Sequence, residues 1–191
     1  MPSRLTRHDE FGHVHFLAFS CYARLQFFRY ASVCDAFICA MDATRGRLAI
    51  RWIGYVVMPE HVHLLVLPQS SGSQEVVLIS TVLRELKSIS GRECKAALRG
   101  VWREKRTLGT KALDQWATGD GPKPFWKPRG YDRNITSEPG VIEKLNYIHA
   151  NPVRRGLVER PDQWLWSSFR FYERGDTSKI AMDWDGGFPI A

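Results

Sequence analysis

Two hydrophobic periods, one of two residues and one of about 3.6, follow each other along the chain. His13 to Tyr22 (His-Val-His-Phe-Leu-Ala-Phe-Ser-Cys-Tyr) is rich in aromatic and other β-forming residues and reads as a strand. Val33, Phe37, Ile38 and Met41 then recur at helical spacing. Ser32 is placed to cap that helix, and Gly46 to end it after Arg45. Leu48 to Met58 and His61 to Leu67 read as two further strands. The Met58-Pro59-Glu60 link between them is short, which makes the two strands antiparallel neighbours. A polar loop (Gln69 to Ser73) leads into a long helix from Gln74 to about Leu98. Val76, Ile79, Leu83, Leu86 and Ile89 form its apolar stripe, with Arg84, Lys87 and Arg92 off it. A short strand is expected over Gly130 to Ile135. After it Ser137 caps a helix with Pro139 in the first turn, ending near Ala150 at Asn151-Pro152.

This order predicts an α+β fold: a ferredoxin-like antiparallel sheet with helices on one face, plus a C-terminal extension. The first and third strands would lie in the middle. Residues 1–191 are expected to form a single domain, with a core over about 13–155 and a tail over 156–191. Within that core, about 99–123, lies a basic insertion. The wider stretch Lys95 to Arg129 carries nine basic residues against three acids and is expected to be a mobile basic excursion.

Charge sharpens the picture. The formal net charge is +7 and the pI about 9.4, which favours a polyanionic partner, nucleic acid first. No apolar run approaches the roughly 20 residues of a membrane span, and no membrane partner is expected. Met1 to Glu10 is polar and unlike a signal peptide. Cys21, Cys34, Cys39 and Cys94 show no C-x-x-C or zinc-finger spacing. They are expected to be reduced thiols in a cytoplasmic protein.

Candidate chemistry starts at His61 and His63. On a strand they share a face with Leu65 and Leu67, while Val62, Leu64 and Val66 point into a core. A second His-x-His stands at His13 and His15. Such a pair more often marks satisfied strand histidines than a metal site, because two ligands rarely suffice. Tyr147 and Asn151 lie one helical turn apart on one face. A phenol is a nucleophile once it loses its proton, and an amide oxygen ligates hard cations. The plainer reading is a half-buried helix tyrosine and a C-cap asparagine before proline.

Three stretches nevertheless resemble one family in order. Met58-Pro59-Glu60-His61-Val62-His63-Leu64-Leu65-Val66 resembles the HUH motif of single-tyrosine HUH transposases. Leu145-Asn146-Tyr147-Ile148-His149-Ala150-Asn151-Pro152-Val153-Arg154-Arg155-Gly156-Leu157-Val158 resembles the tyrosine-helix segment of their REP-associated branch. Trp164-Leu165-Trp166-Ser167-Ser168 looks like the motif that follows it. Phe125 to Asp132 resembles the strand before that helix, although Arg133 stands where the family often has histidine. The basic insertion also looks longer than usual for that branch. The resemblance implies that His61, His63 and Asn151 hold a divalent metal, Mg²⁺ or Mn²⁺. It implies that Tyr147 attacks single-stranded or hairpin DNA, giving a 5′-phosphotyrosine link and a free 3′-OH. It is compatible with a monomer or a homodimer.

Weaker candidates complete the set. Lys127, Arg129, Arg154 and Arg155 are placed to contact phosphates or simply to form a solvated basic face. Trp126 and Tyr131 are candidates to stack unpaired bases. Trp164, Trp166 and Phe169 read as core. Glu60 reads as a turn acid, or as a residue orienting a metal ligand. For Asp132 a metal-proximal role and a strand-end turn remain alternatives. The competing function is a non-catalytic or domesticated nucleic-acid-binding module, disfavoured by the lack of an aromatic-rich RNP-type strand.

Overall fold

The computed structural model describes residues 13–70, 76–119 and 123–184. Four strands, β1 (Val14–Ser20), β2 (Ile50–Met58), β3 (His61–Pro68) and β4 (Tyr131–Ile135), form one antiparallel sheet in the order β2-β3-β1-β4. The first and third strands are therefore central, as predicted. Among the described residues five α-helices accompany them: α1 (Ala31–Arg45), α2 (Ile79–Lys105), α3 (Lys111–Thr118), α4 (Glu138–Arg154) and α5 (Phe169–Arg174).

The alternation of β3 divides two cores. Val62, Leu64 and Val66 join Leu17, Phe19 and the apolar stripes of α1 and α2 on one face. Leu65 and Leu67 join Val14, Phe16 and the Val141, Leu145 and Ile148 stripe of α4 on the other. The ferredoxin-like pair α1 and α2 thus covers one face, and α4 covers the face that carries His61 and His63. Gly54 in β2 lets α4 come close: a Cβ there would stand 2.5 Å from Leu145 Cδ2.

The C-terminal extension seals the outer edge of the sheet. Trp166 O and Trp164 Nε1 bond the Val57 backbone, Ser168 N donates to Tyr55 O, and Asp183 bonds the Trp52 backbone on both sides. An uncovered edge strand would leave those groups unpaired.

Local expectations shift in four places. Helix α1 starts two residues before its anticipated cap, with Tyr30 at the N-cap and no side-chain cap bond. Ser71 to Glu75 lie outside the described residues, but Val76 bridges Ser70 in extended conformation, so the long helix begins at Ile79 rather than at Gln74. Helix α2 runs on to Lys105, so the basic stretch from Lys95 is not an irregular excursion. Its first part extends α2, and Thr110, accepting from Leu113 N, caps α3. Helix α4 is capped by Ser137 as expected but continues through Pro152 to Arg154. In the last turn proline forfeits a single helical hydrogen bond, a cost that burial of its ring offsets.

Candidate active site

The sheet register builds the site. A row across it runs Tyr131, Ala18, His63, Val56, and the next row places Ser20 beside His61. Paired residues point to the same face. The two imidazoles therefore face α4 across small neighbours, Ala18 and Ser20, and a cavity of about 460 Å³ remains. Tyr147 and Asn151 of α4 and Tyr131 of β4 line the same cavity. The residues that sequence spacing put on separate elements are thus brought together.

His61 Nε2 and His63 Nε2 stand 3.1 Å apart, with the rings at right angles. His61 is held in that pose by the turn before it. Its Nδ1–H donates to Glu60 Oε1 at 3.1 Å, which leaves the Nε2 lone pair aimed into the cavity. Arg155 Nη1 at 3.0 Å and Arg24 Nη2 at 3.3 Å donate to the same Glu60 oxygen. Burial works to raise the Glu60 pKa, yet Arg155 and His61 together hold its carboxyl below the usual range. Burial lowers His61 against the opposing pull of Glu60, and lowers His63 to about 3, with His61 adding to the effect. Both rings are consequently neutral, the form in which imidazole binds metal.

The spacing of the two Nε2 atoms is compatible with two donors to one ion. Two nitrogens bound at about 2.1 Å and at a right angle would lie about 3.0 Å apart, close to the observed separation. Among the described residues no group of three His, Cys, Asp or Glu is poised for metal. A third protein donor must be of another type, and Asn151 is available. Its side-chain amide is buried with an unsatisfied Nδ2, and its assigned O and N positions are interchangeable by a flip.

Tyr147 is 39% exposed at the mouth of the cavity, its ring edge-on to His63 at 5.8 Å and to Phe16 at 6.1 Å. The Arg154 guanidinium lies 5.6 Å from its ring centre and Lys144 Nζ 5.9 Å. Behind it, buried His149 bonds Ser168 Oγ at 2.8 Å, and that hydroxyl also bonds the Tyr55 backbone. This network ties α4 to β2 through the Trp-Leu-Trp-Ser-Ser motif, and burial holds His149 at about 4.

The remaining candidates separate by face. His15 donates to Asp132 at 2.9 Å and His13 accepts from Asn134 at 3.2 Å, both on the face turned from the cavity. The second His-x-His is therefore structural, and Asp132 is no neighbour of the metal candidates. Trp126 does not line the Tyr147 cavity. It is buried among Phe19, Phe28 and Phe37, with its indole N–H on Ser90. That core packs against its ring, which keeps only a small exposed surface bordering a depression beside α2. Lys127 and Arg129 are exposed beside β1, Tyr131 is 49% exposed at the cavity, and Arg154 and Arg155 flank Tyr147 and Glu60. Arg24, unremarked in the sequence, reaches Glu60 only because Cys21 N bonds Glu60 O and folds the following turn over it.

Comparison with known proteins agrees with this architecture. The chain is similar to the REP-associated tyrosine transposase of Escherichia coli (strain K12), 28% identical over 134 residues, 69% of this chain and 61% of the relative. A Haemophilus influenzae (strain Rd) relative provisionally named for the same family is 23% identical over 135 residues, 70% of this chain and 66% of the relative. The matched stretch thus spans less than two thirds of either curated relative. A solved structure of the REP-associated tyrosine transposase bound to a REP hairpin matches 99% of this chain and 94% of its own, with a TM-score of 0.62 and 22% identity. It shares the fold. No family model matches the chain. Among the described residues, no helix is long and apolar enough to cross a membrane.

Proposed function

We propose that this protein is a REP-associated tyrosine transposase-like enzyme that nicks and rejoins single-stranded, hairpin-forming DNA. The observation that carries the reading is the convergence of His61 Nε2, His63 Nε2, Asn151 and Tyr147 on one cavity rimmed by cations. His61, His63 and Asn151 would hold a divalent cation, Mg²⁺ or Mn²⁺. When bound, that cation supplies charge neutralisation at a phosphodiester.

The chain's own residues do the rest. Arg24 and Arg155 give the cavity a positive rim that draws in a phosphate, and Glu60 fixes the His61 tautomer. Lys144 and Arg154 flank the Tyr147 ring, where negative charge gathers as the phenol loses its proton. Tyr147 Oη forms a bond to phosphorus while the bond to the 3′ oxygen breaks. The phenolic proton passes to solvent, and the leaving oxygen takes one up as 3′-OH. The product is a 5′-phosphotyrosine ester, which a 3′-OH reverses in strand joining. One ester replaces another, so no nucleotide cofactor is needed.

The test is a denaturing-gel assay with hairpin DNA bearing single-stranded flanks and Mn²⁺ or Mg²⁺. Wild type should yield a covalent adduct, and Tyr147→Phe none while still binding DNA. An adduct surviving Tyr147→Phe would overturn the assignment.

A further inference from the structure

A second cluster of positive charge lies away from the candidate active site. Helix α2 carries Arg84, Lys87, Arg92, Lys95, Arg99 and Arg103 at three-to-five-residue intervals, so they track one side of it. Along that side two depressions adjoin. One, of about 610 Å³, is lined by Arg84, Lys87, Arg92, Lys95 and Arg99 beside Phe125. The other, of about 470 Å³, opens between α2 and α3. It is lined by Lys95, Arg99, Arg103 and Lys123, with Trp102 and Trp116 as apolar walls. The two share Lys95 and Arg99.

Among the described residues no acidic side chain lines the groove. Among the described residues Lys95, Arg99 and Arg103 make no ion pair. Asp114 of α3 is turned inward, capping Leu108 N and Thr107 Oγ1, and Glu93 is engaged by Arg92. Unneutralised cations bordering an apolar cleft are a ready site for a polyanion that also carries aromatic rings.

The groove is also connected to the candidate active site. Lys87 Nζ donates to the carbonyls of Lys127 and Arg129 at 3.3 and 2.7 Å, and Lys127 N–H donates to Ser20 O. Ser20 and Tyr131 line the Tyr147 cavity. Exposed Lys127 and Arg129 thereby bridge the cavity and the α2 groove around the β4 edge of the sheet.

We infer that the α2–α3 groove is a second DNA site, which takes a single-stranded segment of the same substrate after it leaves the Tyr147 cavity. This rests on the proposed function. Lys95, Arg99 and Arg103 contact the phosphates, and Trp102 and Trp116 admit an unpaired base.

The test measures equilibrium binding in the Tyr147→Phe background, where no covalent chemistry intervenes. Labelled hairpins are compared without a tail and with a single-stranded tail of about ten nucleotides on either end. A tail should tighten binding at least tenfold. Combined Lys95→Ala, Arg99→Ala and Arg103→Ala changes should abolish that gain and lower the salt slope by about two, at about 0.7 per lost phosphate contact. Binding of the tail-less hairpin should be unchanged, which also shows that the variant folds. A tail without effect, or equal losses for both oligonucleotides, would overturn the inference. If adducts still form with wild type on the tailed hairpin in that case, the proposed function stands. Absence of binding to either oligonucleotide would overturn both.

Discussion

Replacing Gly54 by alanine should damage stability and chemistry together. The residue lies at the irregularity between Trp52 and Gly54, where β2 slips register against β3. A Cβ there would come within 2.5 Å of Leu145 Cδ2, and within 3.3 Å of both Ile148 Cδ1 and Ser168 Oγ. Leu145 and Ile148 are buried against the sheet, so neither side chain has free space to retreat into. Helix α4 must lift instead. Overpacking of this kind costs about 1–3 kcal/mol. For a chain of this size each kcal/mol lowers Tm by about 2–4 °C. Tyr147 sits between the two displaced contacts on the same helix. A shift of about 1 Å at a reacting group can cost on the order of a hundredfold in rate. Thermal melts and the initial rate of adduct formation should therefore fall together in Gly54→Ala. Unchanged Tm and rate would refute the claim that this glycine sets the seat of the tyrosine helix.

Other expectations follow from single contacts. Glu60→Ala removes the acceptor that orients His61. Adduct formation at limiting Mn²⁺ should drop about 10–100-fold, with partial recovery at high metal, and a rate independent of metal concentration would contradict the role. Trp126→Ala should destabilise the fold by about 3–5 kcal/mol in denaturant titrations. Trp126→Phe should fold and bind DNA like wild type; a selective loss of DNA affinity would favour the stacking role. His149 is held at about 4 by burial, below its unfolded value. Its contribution to stability is complete above about pH 6.5 and declines as pH falls toward about 4. The acid limb of a Tm–pH profile should flatten in His149→Gln, and an unaltered limb would count against the buried neutral histidine.

The strands were legible because alternation is a local property. His61, Val62 and His63 already declare two faces, and the register only had to place small Ala18 and Ser20 opposite the histidines. The cap of α4 was equally local, in Ser137. What the His-x-His spacing alone could not show was which histidine pair meets the tyrosine. His13-x-His15 and His61-x-His63 have the same pattern, and only strand pairing puts one behind the sheet, against Asp132 and Asn134. The place of Trp126 was hidden for a related reason. Its neighbours Lys127 and Arg129 are basic and exposed, but the bridge of Cys21 to Trp126 turns the indole into the core. The helical nature of Arg99 to Lys105 was obscured by its charge and by Gly100, because an exposed helix end carries little apolar periodicity. Arg24 became visible only through a long-range backbone bond.

The central claim is that Tyr147 is the nucleophile, and the most direct measurement identifies the linked residue itself. Adduct trapped on hairpin DNA would be digested with nuclease and protease and sequenced by mass spectrometry. The account predicts a 5′-phosphate-bearing nucleotide on the peptide containing Tyr147, absent without divalent metal. The same mass on Tyr131, which lines the same cavity, or on any other residue, would contradict it.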